Sequence, residues 1–333
     1  MVVRSVRLVY GVMARAFAAS CAPEVELVPV TPPRNQPVAK LPAASAPTVA
    51  APPPARPANT PDPVRSATSQ ALSQHYAKLQ ADLVTQGLLR GDGGGPDTPF
   101  TDTMLARNFI RIALFDEYVA DGPDLRAEAT MSRLRRWESP IRMDVQFGDT
   151  VPAKQRVRDR NAVAAYAARL SRLTGVPISQ TAGEGNFSVL ILNEDDRRGY
   201  EERLRRMVPG IAESSVRAFL NPPRSTLCLV IAFSGDGGNT YSRAVALIRG
   251  EHPDMLRLAC IHEELAQGMG LANDSPQARP SIFNDDEEFG LLTRHDELLL
   301  KMLYDRRLKP GMSAVEAAPI AREIAAELLG GNA

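Results

Sequence analysis

The chain has 333 residues, 44% of them apolar, and 39 basic side chains balance 39 acidic ones to a formal charge of zero. That balance, with aromatics at 5% and no dominant basic block, removes the electrostatic footprint of a nucleic-acid binder. The length suits one large domain or two modest ones, and past the N-terminus no apolar run reaches the about 20 residues a bilayer span needs.

Residues 1–21 read as a lipoprotein-type signal peptide. Arg4 and Arg7 precede a short, mostly apolar stretch, and Ala18-Ala19-Ser20-Cys21 has the form of a lipobox, with Cys21 as the lipidation site. Arg15 interrupts the apolar stretch, and the plainer alternative is an N-terminal tail with an incidental cysteine. The expected location is periplasmic, with a lipid anchor as the sole attachment to the membrane. Residues 22–65 are rich in proline and alanine around Pro52-Pro53-Pro54, a composition that favours a disordered, extended linker.

Residues 66–135 are expected to form a helical N-terminal segment packed on the main domain. Leu72, Tyr76, Leu79 and Leu83 recur at helical spacing, and the cluster from Gly91 to Gly95 stops that helix. A second helix is expected over residues 103–117, with Leu105, Phe109 and Ile112 facing inward.

From Trp137 the pattern changes to strands and helices, so residues 136–333 are expected to form one α+β domain. Strands are predicted at 141–147, 186–192, 226–233 and 243–248, with helices at 159–173, 253–269, 291–303 and 314–329. The strand at 243–248 is the candidate sheet edge. Apart from Cys21, two cysteines remain, Cys228 in a strand and Cys260 on the 253–269 helix. They form either a disulfide between those elements or two separate buried thiols.

The 253–269 helix carries the chemistry. The run Glu263-Glu264-Leu265-Ala266-Gln267-Gly268-Met269-Gly270-Leu271-Ala272-Asn273-Asp274 resembles the metzincin motif H-E-x-x-H-x-x-G-x-x-H with its imidazoles removed. Glu264 stands at the general-base position and Gly270 at the turn. Glu263, Gln267 and Asn273 occupy the ligand positions. Ser281-Ile282-Phe283 is similar to the metzincin Met-turn, with Phe283 in place of methionine, and Leu292-Thr293-Arg294-His295-Asp296 to the start of the closing helix. The resemblance implies a mixed twisted sheet with long helices, a zincin (metzincin)-like frame.

Catalytic zinc needs three N, O or S ligands and an open position, and amide oxygens bind it weakly. No metal and no cofactor is therefore expected. An all-oxygen set of Glu263, Asp274 and two amides suits calcium or magnesium better, but it gathers too few carboxylates. Without a metal, Glu264 has no polarised water to deprotonate. Its plainer role is a buried carboxylate hydrogen-bonded to backbone. Adjacent helical residues point in different directions, which speaks against Glu263 and Glu264 acting as a pair. The run from Asp285 to Glu288 reads as a solvated loop that could line a cleft with negative charge.

Cys228, Cys260, the Glu263 to Asp274 run, the Ser281 to Asp285 segment and Leu303-Tyr304-Asp305 together resemble the bacterial domain-of-unknown-function family numbered twenty-nine twenty-seven. The resemblance spans roughly residues 70–312 and implies an exported protein, often a lipoprotein. Three readings follow. The first is a catalytically degenerate, metallopeptidase-like pseudoenzyme of the cell envelope that binds an extended polypeptide or scaffolds an envelope protein. The second is a working hydrolase with Glu264 as base and an atypical metal. The third is a purely structural lipoprotein whose cleft is filled by its own side chains.

Overall fold

The computed structural model describes residues 64–121, 124–235, 238–284 and 286–330. The expected signal peptide with Cys21, and the linker up to residue 63, lie outside the described residues. Helix α1 (Ala67–Thr85) starts at Ser66, whose side chain accepts a hydrogen bond from the Ser69 amide at 3.1 Å. This satisfies one of the donors that a helix N-terminus leaves unpaired. Helix α2 (Asp102–Ala113) is capped in the same way by Thr101. The segment after α2 corrects the helical expectation for 103–117. The chain leaves the helix at Ala113 and forms an antiparallel hairpin, β1 (Phe115–Asp121) with β2 (Asp124–Met131). The helical spacing ends at Leu114, and from Leu125 to Met131 apolar and polar residues alternate as a strand requires.

The main sheet has five strands in the order β4-β3-β5-β7-β6. Strand β3 (Ile141–Phe147) is followed by helix α3 (Ala153–Thr174), β4 (Ile178–Gln180) and β5 (Phe187–Leu192). Three helices come next: α4 (Glu194–Arg197), α5 (Glu201–Met207) and α6 (Glu213–Leu220). Then follow β6 (Cys228–Ser234), β7 (Tyr241–Arg249), α7 (Asp254–Gln267), α8 (Arg294–Leu303) and α9 (Ala314–Gly330). Strands β4, β3, β5 and β7 are parallel, and β6 runs antiparallel to β7. The expected edge at 243–248 is therefore wrong. Strand β7 lies between β5 and β6, and the edge on this side of the sheet is β6. The two strands read alike in sequence, because apolar content does not reveal which one has a partner on both sides.

Period-two alternation divides the core. Val189, Ile191, Ala244, Ala246 and Ile248 face the larger cluster, which includes side chains of α2, α3, α7, α8 and α9. Leu190, Leu192, Val245 and Leu247 face the smaller one, with Leu204, Val216 and Phe219 of α5 and α6. Helices thus cover both faces, so β5 is buried along its whole length. The architecture is a mixed α+β domain. Among the described residues no helix is long and apolar enough to cross a membrane.

Candidate functional site

Helix α7 is fixed along its length before it presents any chemistry. The buried Arg257 guanidinium donates to Asp159 of α3 at 2.8 Å. Tyr166 of α3 donates its hydroxyl to the His262 carbonyl at 2.8 Å, and its ring stacks on the His262 imidazole at 4.0 Å. A disulfide joins Cys228 of β6 to Cys260 of α7, with their Cα atoms 5.9 Å apart, so the edge strand and the site helix are tied covalently. At the far end, the Trp137 indole donates to the Gly268 carbonyl and the Tyr304 hydroxyl to the Met269 carbonyl, both at 2.9 Å. These bonds occupy carbonyls that a helix C-terminus leaves without intrahelical partners.

The turn after α7 depends on Gly270. Its φ is +126°, and a Cβ there would lie 2.3 Å from the Arg135 carbonyl oxygen. The Ser281-Ile282-Phe283 turn is held from below by one carboxylate. Asp296, fully buried near the start of α8, accepts from the Ser281 hydroxyl at 2.5 Å, the Ile282 amide at 3.1 Å and the Thr293 amide at 3.0 Å. Phe283 is fully buried in the core shared with α7.

A cavity of about 830 Å³ runs along the outer edge of β6, between α6 and α7. Cys228 to Ile231 form one wall, and Ser214, Arg217 and Ala218 of α6 line another. Glu263, Glu264 and Gln267 enter from α7, Asp274 from the following turn, Glu117 and Tyr118 from β1, and Glu287 from the segment before α8. Five carboxylates therefore converge on one cavity.

Glu263 and Glu264 do not point apart as expected. Oxygens of both carboxylates and the Cys228 sulfur lie within 4.8 Å of one another. The crowded end of the cavity gathers both side chains although their Cβ atoms leave the helix in different directions. Burial raises both carboxyls well above the usual range. The charges of Glu264 and Asp274 add to this for Glu263, and those of Glu117 and Asp274 for Glu264. Glu264 is 3% exposed, and its Oε2 has no hydrogen-bond partner.

The remaining motif positions separate. Gln267 donates to Asp274 at 3.2 Å and stays on the cavity wall. Asn273 does not line the cavity. Its side-chain amide donates to the carbonyls of Arg111 at 2.9 Å and Asp274 at 2.8 Å, which makes it a clamp between the turn and α2. None of the four imidazoles lines the cavity either. The His262 Nδ1 accepts from the Leu292 amide at 3.1 Å, and burial lowers its pKa to about 3. His252 is buried against Tyr76, with its Nδ1 3.7 Å from the Cys260 sulfur. With both cysteine sulfurs in a disulfide, the donors facing the cavity are oxygens. The set does not fit a catalytic zinc.

Over residues 102–323, roughly two thirds of the chain, the sequence matches the family described as "Protein of unknown function (DUF2927)". The chain belongs to that family. The match runs from the first turn of α2 into α9 and so includes every element that lines the cavity. No curated protein matches the chain, and no solved structure does.

Sequence reasoning missed Glu117, Tyr118 and the α6 wall. Glu117 stands at the end of the expected 103–117 helix, and its place in a hairpin that reaches the cavity is a long-range fact. For Glu287 the acidic run at 285–288 is a usable signal, but it does not reveal which member reaches the cavity. Glu288 instead pairs with Arg279 at 2.6 Å and Arg90 at 3.0 Å.

Proposed function

We propose that this domain binds an extended polypeptide along the outer edge of β6, on a frame like that of a zincin (metzincin) peptidase whose zinc ligands are replaced. The observation that carries the reading is the position of β6. It is an antiparallel edge strand whose outer side has no strand partner among the described residues, and it lines the cavity directly. A peptide laid there gains main-chain hydrogen bonds by strand addition and needs no metal to do so. The disulfide to α7 supports the reading, because it holds the edge strand rigid against the acidic floor. A cavity of about 830 Å³ disfavours the alternative in which the protein's own side chains fill the cleft.

Export and lipidation at Cys21 are part of this reading, and they would place the peptide site in the periplasm. Backbone nuclear magnetic resonance during titration with extended peptides tests the site. Shifts at residues 228–234 and at Glu263 are expected, and shifts confined to the α3 or α9 surface would reject it.

A second reading is favoured by one observation: the unpartnered Glu264 oxygen beside a peptide-sized cavity is placed as a general base would be. Peptide hydrolysis that survives unchanged in Glu264→Gln would dismiss it.

A further inference from the structure

Zinc chemistry is removed by the donor set, but the same donors suit another class of ion. The sequence offered too few carboxylates for a hard cation, and the tertiary fold changes that tally by adding Glu264, Glu117 and Glu287 to Glu263 and Asp274. We infer that the acidic end of the cavity is a binding site for a hard divalent cation, calcium by preference, with Glu263 and Glu264 as its central ligands.

Two independent observations meet here. The first is placement. Oxygens of Glu263 and Glu264 lie within 4.8 Å of one another, close enough for one ion with oxygen contacts of about 2.3–2.6 Å to bridge them. The second is the state of Glu264, a nearly fully buried carboxylate on the cavity wall whose Oε2 has no partner in the protein. Buried polar atoms are nearly always satisfied, so an orphan oxygen on a residue that lines a cavity asks for a ligand that the fold does not supply.

Charge points the same way. Five carboxylates, Glu117, Glu263, Glu264, Asp274 and Glu287, line the cavity against a single cationic side chain. Arg217 is the cationic side chain on the cavity lining. It is about half exposed and lies 3.8 Å from Glu213. Calcium is preferred over magnesium because it accepts six to eight oxygens in irregular geometry, whereas magnesium demands a near-ideal octahedron. Carboxylates from a hairpin, a helix, a turn and a loop supply the former more readily than the latter.

This inference stands apart from peptide capture, since the ion would bind to the empty cleft. The test is isothermal titration of the chelator-treated full chain with calcium chloride alone, with magnesium and zinc chlorides as separate arms. One calcium per chain is expected, with a Kd of about 10⁻³ M or tighter, and magnesium at least about tenfold weaker. Glu264→Gln should weaken calcium binding at least about tenfold. In metal-free buffer the same variant should melt at or above the temperature of the unmodified chain, which separates a lost ligand from a lost fold. Glu202→Gln, far exposed on α5, should change nothing. Absence of calcium heat up to about 10 mM would overturn the inference, as would equal binding by Glu264→Gln or stoichiometric zinc uptake in place of calcium. Peptide-induced shifts at β6 could persist in each of those cases, so the two readings fail separately.

Discussion

Replacing both Glu263 and Glu264 by glutamine should stabilise the fold by an amount that grows with pH. In the unmodified chain, burial and neighbouring carboxylates keep a proton on the native pair at pH values where the unfolded chain has released it. The native state then binds more protons than the unfolded state, and stability falls as pH rises from the ordinary carboxylate range toward the raised values. One linked proton corresponds to about 1.4 kcal/mol per pH unit. Because the pair titrates as a unit, that proton belongs to both residues. Each pH unit over which the native pair keeps a proton that the unfolded chain has released should therefore widen the variant's advantage by about 1.4 kcal/mol. A folded unit of roughly 260 residues unfolds with an entropy of about 0.55 kcal/mol/K, so each such pH unit should open the gap in melting temperature by about 2.5 °C.

The comparison must be between variants and not along one curve. Burial lowers His252 and His262, so both are neutral in the fold and protonate on unfolding below their ordinary value of 6.5. That effect removes stability as pH falls and opposes the carboxylate effect in the unmodified chain, but it is common to both proteins and cancels in the difference. Scanning calorimetry in chelator-containing buffer at several pH values is the assay. A gap that stays constant from pH 5 to 7, or narrows as pH rises, would refute the account of the pair.

Three further substitutions test what holds the site together. Gly270→Ala should cost at least about 2 kcal/mol in urea unfolding, because it combines a left-handed φ with a backbone clash and the Arg135 carbonyl cannot retreat like a side chain. Asp296→Asn keeps the shape but turns half of a buried acceptor into a donor facing the Ser281 hydroxyl, the Ile282 amide and the Thr293 amide; a loss of about 2–4 kcal/mol is expected by the same method. Replacing Cys228 and Cys260 with serine opens a loop spanning 32 positions, and the chain-entropy relation puts the cost at about 3–4 kcal/mol. A melting temperature unchanged by that double replacement would contradict the disulfide's place in the fold.

The elements of the domain were legible wherever local pattern carries them. The strands at 141–147 and 186–192 and the helices around Glu264, Leu299 and Ala321 stand within a few residues of their expected positions, and the helix around Val163 begins six residues early, at Ala153. Helical periodicity and β-branched runs are properties of neighbouring residues, so one chain segment suffices to express them. Four features were not readable in this way: the hairpin at 115–131, the short strand β4, the helices between β5 and β6, and the identity of the edge strand. Each depends on what a segment packs against, and β6 and β7 differ in partners more than in composition.

The candidate site divides along the same line. The primary structure alone determined the spacing of Glu263, Glu264, Gln267, Gly270 and Asn273 along one helix and the turn after it, and that none of these positions holds an imidazole. Only the tertiary structure decided that Asn273 turns away to clamp α2, that Glu263 and Glu264 converge, and that Glu117 and Glu287 join them around one cavity. The physical reason is that residue type is local, whereas the field on a carboxylate sums over every charge and every solvent-excluding wall near it. Glu117 and Glu264 are 147 positions apart in the chain, and only the folded sheet and its hairpin bring them to the same space.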